Sequence, residues 1–475
     1  MNTFETVIGI EIHIELNTKT KMFSPAPNKF NEKPNTLVHP IDVAYPGTLP
    51  RLNKEAVVKA IKLAKALNME IDTLLRFDRK NYFYPDLPKS FQITQQNFPI
   101  GKNGTLTIES NGKKKEILIE RIHLEEDTAK QIHLNDKTLV DYNRAGVPLI
   151  EIVTKPIISN AEEAANYVDM IRKIVSFIDI SDAKMSEGSL RADVNISIRP
   201  FGQKFLGEKV EIKNLNSVSN LKKAIEFEKN LQIKKILSNE KIESQTKRFD
   251  ESKNETVVMR TKSKTIDYKY IPEPNIPFIR IPKDFIDKIK VENLPWNIEK
   301  KLLSQNISSE FVQQFLNDFQ MLLVFESIIY PNREKLSKVF FSELISLANS
   351  KNVHIKDLKF NFSEFVIALK FLDNGEISGK HLKTIINEIF TKNEKVEDIV
   401  SRNNLRLISD EDLIFNLINK ASKDKNEIIL EYPNKPEKVL KYLTGFVMKE
   451  TEGQANPVLS FNLAKKYLDE KFKKV

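Results

Sequence analysis

EGSLRADVNISIR, residues 187–199, places Ser189, Arg191, Asp193, Asn195, Ser197 and Arg199 in strict alternation with Leu190, Ala192, Val194, Ile196 and Ile198. Side chains of a strand point to opposite faces in turn, so this stretch predicts one apolar face and one face of amide, hydroxyl, carboxylate and guanidinium groups. A face that only needs to be wet would draw on the lysines that fill this chain. Arg and Asp two residues apart instead offer fixed, directional charge.

The same pattern recurs. Ile10, Ile12, Ile14 and Leu16 alternate with Glu11, His13 and Glu15, Val210 and Ile212 with Glu211 and Lys213, and Ile122 and Leu124 with Arg121, His123 and Glu125. In the last case Glu126 and Asp127 follow at once, and period two cannot put all three acids on one face. Any one of these segments reads equally as the solvated side of an antiparallel sheet. Together they gather acids and an imidazole that repel unless a cation sits among them, and hard oxygen ligands with one imidazole suit Mg²⁺ or Mn²⁺. Arginines beside such acids suit phosphate, so the pattern points to a metal and nucleotide site on an open sheet face.

With 475 residues, of which 40% are hydrophobic and 29% charged, the chain has the length of about three globular domains. No apolar run of membrane-spanning length and no signal-peptide pattern is present, so a soluble, cytoplasmic location is expected. The absence of cysteine excludes disulfides, thiolate nucleophiles and cysteine-held zinc. The net charge of +9 favours a polyanionic partner, and eleven of fourteen arginines fall before residue 281, which places the chemistry there. Residues 1–295 carry the short alternating segments, with Asn103-Gly104 and Asn111-Gly112 as turn signals, and read as a large mixed-sheet domain. Helices are expected over 54–67, over 160–177 with Asn160 as cap, and over 218–238. From about residue 296 helical periodicity takes over, with a break near 405 and Ser409 as the cap of a helix starting at Asp410. The last part, 406–475, is rich in lysine and fits RNA backbone.

Several strings go beyond composition: VIGIEIHIE (7–15), RKNYFYPD (79–86), HLEED (123–127), DYNRAGVPLIEIV (141–153), KMSEGSLRADVNISIR (184–199), EIKNLNS (211–217), RFDE (248–251), DYKYIPEP (267–274) and GQANP (453–457). Together they closely resemble the GatB family, the B subunits of tRNA-dependent amidotransferases, from Thr3 to the C-terminus. The resemblance implies an α+β fold: a large, mostly antiparallel sheet domain similar to glutamine synthetase and the guanidino kinases, then all-α helical and tail domains. It implies ATP- and Mg²⁺-dependent phosphorylation of the side-chain carboxylate of Glu-tRNA(Gln), Asp-tRNA(Asn) or both, and then amidation. The ammonia would come through a channel from an amidase-type glutaminase partner, with a small third polypeptide completing a heterotrimer.

By that resemblance the catalytic candidates are Glu126, Glu125, Asp193 and Lys80, and the metal candidates Glu11, His13, Glu126 and Glu211. Arg191, Arg199, Lys213 and Ser189 are the candidates for nucleotide contacts, and Lys80 and Lys89 flank the ammonia path, where a lysine paired with Glu126 can gate a polar tunnel. Tyr82, Phe83 and Tyr84 are read as packing residues, and His39, His123 and His133 as structural or exposed. Many family members carry a zinc knuckle of four cysteines near the N-terminus. Here the matching positions are Ser24, Ala26, His39 and Asp42, so no zinc is expected and packing must hold the segment instead. Two competing readings are a tRNA-binding scaffold, built on the basic tail, and a ligase for a free amino acid, which leaves the helical half without a purpose.

Overall fold

The computed structural model describes residues 3–30, 32–261 and 267–473. The chain divides into two compact units, Met1–Ile298 and Glu299–Val475. Alternation does what the sequence led us to expect in the first unit, where nine strands of the described residues form one sheet. They are β1 (Phe4–Glu15), β2 (Glu70–Ile71), β3 (Gly101–Ser110), β4 (Lys113–Glu126), β5 (Pro148–Thr154), β6 (Leu190–Pro200), β7 (Val210–Leu215), β8 (Gln245–Asp250) and β9 (Glu255–Thr261). Their spatial order is β9-β8-β7-β6-β1-β5-β4-β3-β2. Among the described residues each neighbouring pair in this sheet is antiparallel except β7 with β8, whose connection runs through a helix, as a parallel pair requires.

One face of this sheet is dry. Ile8, Ile10, Ile12 and Ile14 of β1 lie in a single buried cluster with Ile122 and Leu124 of β4 and Val194 and Ile196 of β6. Three helices cover that face: α1 (Lys54–Ala66), α2 (Ala161–Phe177) and α3 (Val218–Leu237), which contribute Ala60, Ala164, Val168 and Ile225 to the same cluster. Each starts where a polar side chain takes up orphaned backbone N–H groups. Asn53 Oδ1 accepts from Glu55 N at 2.8 Å, Asn160 Oδ1 from Glu163 N at 2.9 Å and Ser217 Oγ from Asn220 N at 3.1 Å. Fully burying an isoleucine contributes about 1.5–3 kcal/mol, so the four on β1 alone give a strong reason for its register.

The two Asn-Gly signals come apart. Asn111-Gly112 is a two-residue hairpin turn between β3 and β4, with both residues at positive φ, 52° and 71°. Asn103-Gly104 lies inside β3, where the ladder to β4 keeps its register, and so it is not a turn. Its glycine serves close approach instead: a Cβ on Gly104 would stand 2.9 Å from the Leu67 carbonyl oxygen that accepts from Thr105 N. Gly104→Ala is expected to cost about 1–3 kcal/mol by overpacking, read as a lower midpoint in urea unfolding with unchanged slope.

A smaller sheet of Asp78–Asn81, Phe91–Thr94 and Ile271–Pro272 reaches the polar side of β4, where Thr94 Oγ1 donates to Glu125 Oε2 at 3.4 Å. The second unit is helical. Its C-terminal part packs Ile414, Ile418, Val439, Leu443, Ala464 and Leu468 between α4 (Glu411–Asp424), α5 (Pro436–Glu450) and α6 (Pro457–Lys473). Asp410, rather than Ser409, caps α4, accepting from Leu413 N at 3.0 Å. In the GQANP turn, Asn456 Oδ1 caps α6 at Val458 N and Leu459 N, both 3.1 Å. Among the described residues no helix is long and apolar enough to cross a membrane.

Candidate active site

Strand pairing turns the separate alternations into one surface. On the face opposite the isoleucines, Glu11 stands across from Asp193, His13 across from both Arg191 and Glu151, Glu151 across from His123, and Asn195 across from Glu211. Among the described residues two acid clusters result, each with one ligating atom per residue inside a 4.8 Å span: His13, Glu125 and Glu151, and Glu11, Asp193 and Glu211. The first is bound up with both imidazoles. His13 Nε2 and His123 Nε2 each lie 3.3 Å from Glu151 and 3.7 Å from Glu125. In the second, Lys213 Nζ lies 2.5 Å from Asp193 and 3.0 Å from Glu211.

The electrostatics follow. Burial opposes a charge on His123, yet Glu151 and Glu125 outweigh it and push its pKa up to about 9. Burial also opposes a charge on Glu151, but His123 and His13 hold its carboxyl well below the usual range. Glu11 goes the other way, raised by burial and then by Glu151 and Asp193. Lys213 is held protonated above its ordinary range by Asp193 and Glu211 despite burial. Repulsion at Glu11 therefore survives the ammonium beside it. The amide oxygen of Asn195, whose Nδ2 donates to Glu11 at 2.9 Å, is buried without a partner among the described residues, as is His123 Nδ1. Carboxylates with one imidazole and a spare amide oxygen are donors that suit a hard divalent cation.

A cavity of about 520 Å³ opens over this face, walled by His13, Lys80, Glu125, Arg191, Asp193 and Lys213. Arg191 reaches Asp127 at 2.7 Å, and Arg144 stands 3.6 Å from the same carboxylate. Lys80 sits 4.8 Å from the ring of Tyr268. The structure thus brings together Glu11, His13, Glu125, Arg191, Asp193, Glu211, Lys213 and Lys80.

Others go elsewhere. Glu126 is in neither acid cluster: its carboxylate accepts from Ile93 N at 3.0 Å and is paired with Lys89. Ser189 donates to Asp182 at 2.5 Å and does not line the 520 Å³ cavity. Arg199 shares the polar face but is six residues up β6 from Asp193, about 20 Å away, and is paired with Glu5 at 2.7 Å. Phe83 and Tyr84 are exposed rather than packed, and Tyr82 meets Tyr268 edge-on. His123 is buried in the site, neither exposed nor peripheral. Sequence reasoning also passed over Glu151, whose only signal was a single acid between Ile150 and Ile152.

A family model of the GatB/GatE catalytic domain matches residues 6–287, which contain both acid clusters and the residues lining the 520 Å³ cavity. The chain belongs to the GatB family. A second GatB domain model matches 323–468. The GatB relatives are alike over their whole length. The B subunit of the aspartyl/glutamyl-tRNA(Asn/Gln) amidotransferase of Mycoplasmopsis synoviae is 52% identical, with all of both chains covered. That of Mycoplasmopsis pulmonis is 51% identical and that of Mesoplasma florum 47%, again over the full length of both chains. In GatB terms both acid clusters lie wholly inside the catalytic domain match.

Proposed function

We propose that this GatB chain, one component of an amidotransferase ligase, activates and amidates the side-chain carboxylate of Glu-tRNA(Gln), Asp-tRNA(Asn) or both, to give Gln-tRNA and Asn-tRNA for translation in the cytoplasm. The observation that carries the reading is the pair of acid clusters on one sheet face, with Arg191 and Lys213 lining the same cavity as His13, Glu125 and Asp193. A carboxylate is a poor electrophile because oxide would have to leave; phosphorylation replaces oxide with phosphate. The carboxylate oxygen attacks the γ-phosphorus of ATP, ADP leaves, ammonia then attacks the acyl carbon, and phosphate leaves with loss of one proton. Mg²⁺ held by His13, Glu125 and Glu151, and by Glu11, Asp193 and Glu211, would neutralise phosphate oxygens. Arg191 and Lys213 supply fixed positive charge to the transferring group. An antiparallel cradle of this kind fits the glutamine synthetase and guanidino kinase likeness.

Ammonia would come from an amidase-type glutaminase partner, with a small third polypeptide in the complex, and the basic tail at 406–475 would hold tRNA backbone. Glu126 then belongs with Lys89 to the ammonia path, a reading supported by their ion pair and by its absence from both acid clusters. In the complex reconstituted with both partners, γ-phosphate should pass from ATP to Glu-tRNA or Asp-tRNA. Lys89→Met should leave amidation with free ammonium chloride within about twofold of the parent, while glutamine-dependent amidation falls about 10-fold or more. Equal loss with both nitrogen sources would put Lys89 in the phosphorylation step instead, and no phosphate transfer in the parent complex would remove the whole reading.

A further inference from the structure

Each acid of the second cluster has a donor beside it. Asn195 Nδ2 donates to Glu11 at 2.9 Å, and Lys213 Nζ lies 2.5 Å from Asp193 and 3.0 Å from Glu211. One further donor comes from β8, a strand outside both clusters. Thr246, opposite Glu211 in the parallel register of β7 and β8, donates from Oγ1 to Glu211 Oε2 at 3.0 Å. We propose that Thr246 is a positioning residue of the amidation site, whose hydroxyl fixes the Glu211 carboxylate in the orientation that lets it take a divalent cation together with Glu11 and Asp193. The role rests on the reading above that this cluster holds the metal, and adds how one of its acids is aimed.

Lys213 does not aim Glu211 by itself. Its ammonium is a point charge on a flexible stem, it serves two carboxylates, and it meets Glu211 at Oε1. A glutamate carboxylate pinned at one oxygen still turns about its last torsion, which is a broad one. A donor at the other oxygen fixes the plane. Thr246 is 2% exposed, so water does not compete for that oxygen from its side. A hydroxyl is also neutral, and it adds direction without cancelling the charge that a hard cation needs.

The rest of β8 keeps Thr246 in place. Side chains alternate, so Lys247 points to the opposite face, where its ammonium meets the two carboxylate oxygens of Glu228 on α3 at 3.1 and 2.9 Å. Both residues are buried, and Glu228 also accepts from Gln232 Nε2 at 3.0 Å and from Thr256 Oγ1 at 2.6 Å. A slip of one residue along β8 would turn Lys247 to the polar face, strand the Glu228 charge and turn Thr246 away from Glu211. A parallel pair has no tight turn to set its register, and this buried contact between α3 and β8 sets it instead. The register of β8 with β9 shifts between Thr246 and Lys247, an irregularity of the kind that re-aims a side chain beside a site.

Thr246→Val keeps the branched shape and removes the hydroxyl, whereas Thr246→Ser keeps the hydroxyl and removes the methyl. The reconstituted complex is titrated with Mn²⁺ in the absence of ATP and tRNA. Thr246→Val should weaken one class of bound Mn²⁺ about tenfold, and Thr246→Ser should stay within about twofold of the parent. Glu211→Gln should weaken the same class, and adding Thr246→Val to it should lower affinity no further, because the hydroxyl acts through that carboxylate. Amidation by Thr246→Val should fall about tenfold at limiting Mg²⁺ and recover at high Mg²⁺, with KM for aminoacyl-tRNA unchanged. Thr246→Ala repeats the comparison if the valine variant does not assemble. Parent Mn²⁺ affinity in Thr246→Val, equal weakening in Thr246→Ser, or additive losses in the double variant overturns the positioning role. A parent complex that binds no Mn²⁺ overturns it together with the metal reading of the cluster. The titration involves neither ATP nor tRNA, so it judges Thr246 even where the parent complex transfers no phosphate.

Discussion

Glu151→Gln should lower phosphoryl transfer to the aminoacyl-tRNA by about 10²–10³-fold while glutamine hydrolysis in the complex persists. Glu151 stands in register with His13 on one neighbouring strand and His123 on the other, and both imidazoles lie 3.3 Å from it. Glutamine keeps the shape and one acceptor oxygen, so the sheet should fold as before. What goes is the negative charge that holds two imidazoles and, with Glu125, would hold a divalent cation. Removing it leaves His13 and His123 facing a single carboxylate, and the cluster falls below the charge that a hard cation needs. Mn²⁺, used as a probe, should bind the parent chain and bind the variant at least tenfold more weakly, as equilibrium dialysis or electron paramagnetic resonance can show. Glu120→Gln, an exposed acid on the same strand as His123, serves as the control. Unchanged Mn²⁺ affinity in Glu151→Gln would take the metal away from this cluster.

Why Glu151 escaped the sequence reading shows what local pattern can and cannot carry. Period two is a local property, so β1 and β6 declare their two faces from their own residues. Which strands lie side by side is a non-local property. Glu151 matters only because β5 lies between β1 and β4, and nothing in the string Leu149-Ile150-Glu151-Ile152 says so. Glu126 entered the candidate set by the resemblance and not by alternation. Glu126 follows Glu125 in sequence, but along a strand the neighbour in sequence is the neighbour on the other face, and Lys89 and the Ile93 amide claim it there. Arg199 shares the face of Asp193, yet alternation says nothing of distance along the strand, which puts it with Glu5. Parallel pairing of β7 with β8 was also invisible, because it depends on α3 packing back over the dry face. The polar face was therefore legible as chemistry, and the assignment of acids to two clusters was not.

Asp42→Ala should destabilise the first unit by about 3–5 kcal/mol, the second large effect the structure leads us to expect. With no cysteine at the positions of Ser24, Ala26, His39 and Asp42, zinc is not expected to hold this segment. An ion pair lies there instead. Lys21 Nζ is 3.0 Å from Asp42 Oδ2, with both side chains almost completely buried. The same carboxylate oxygen accepts from His39 N at 2.9 Å, and Lys21 also donates to Tyr142 O at 3.2 Å, so three separate stretches of chain meet at this pair. Burial pulls the Lys21 pKa down and Asp42 works against that pull, which marks the carboxylate as the group that keeps the ammonium charged inside the protein. Deleting it strands a buried cation, so the loss exceeds that of an ordinary surface pair. Replacing both partners, as Lys21→Met with Asp42→Leu, removes the charge as well as its counter-charge and should return most of the stability, because the cost lies in the unpaired charge more than in the missing attraction. Urea unfolding of the parent, the single variant and the double variant separates these terms, read on the transition of the first unit. A chelator should leave the parent midpoint where it is. A midpoint that falls with chelator, or a single variant as stable as the parent, would mean that something other than this pair holds the segment.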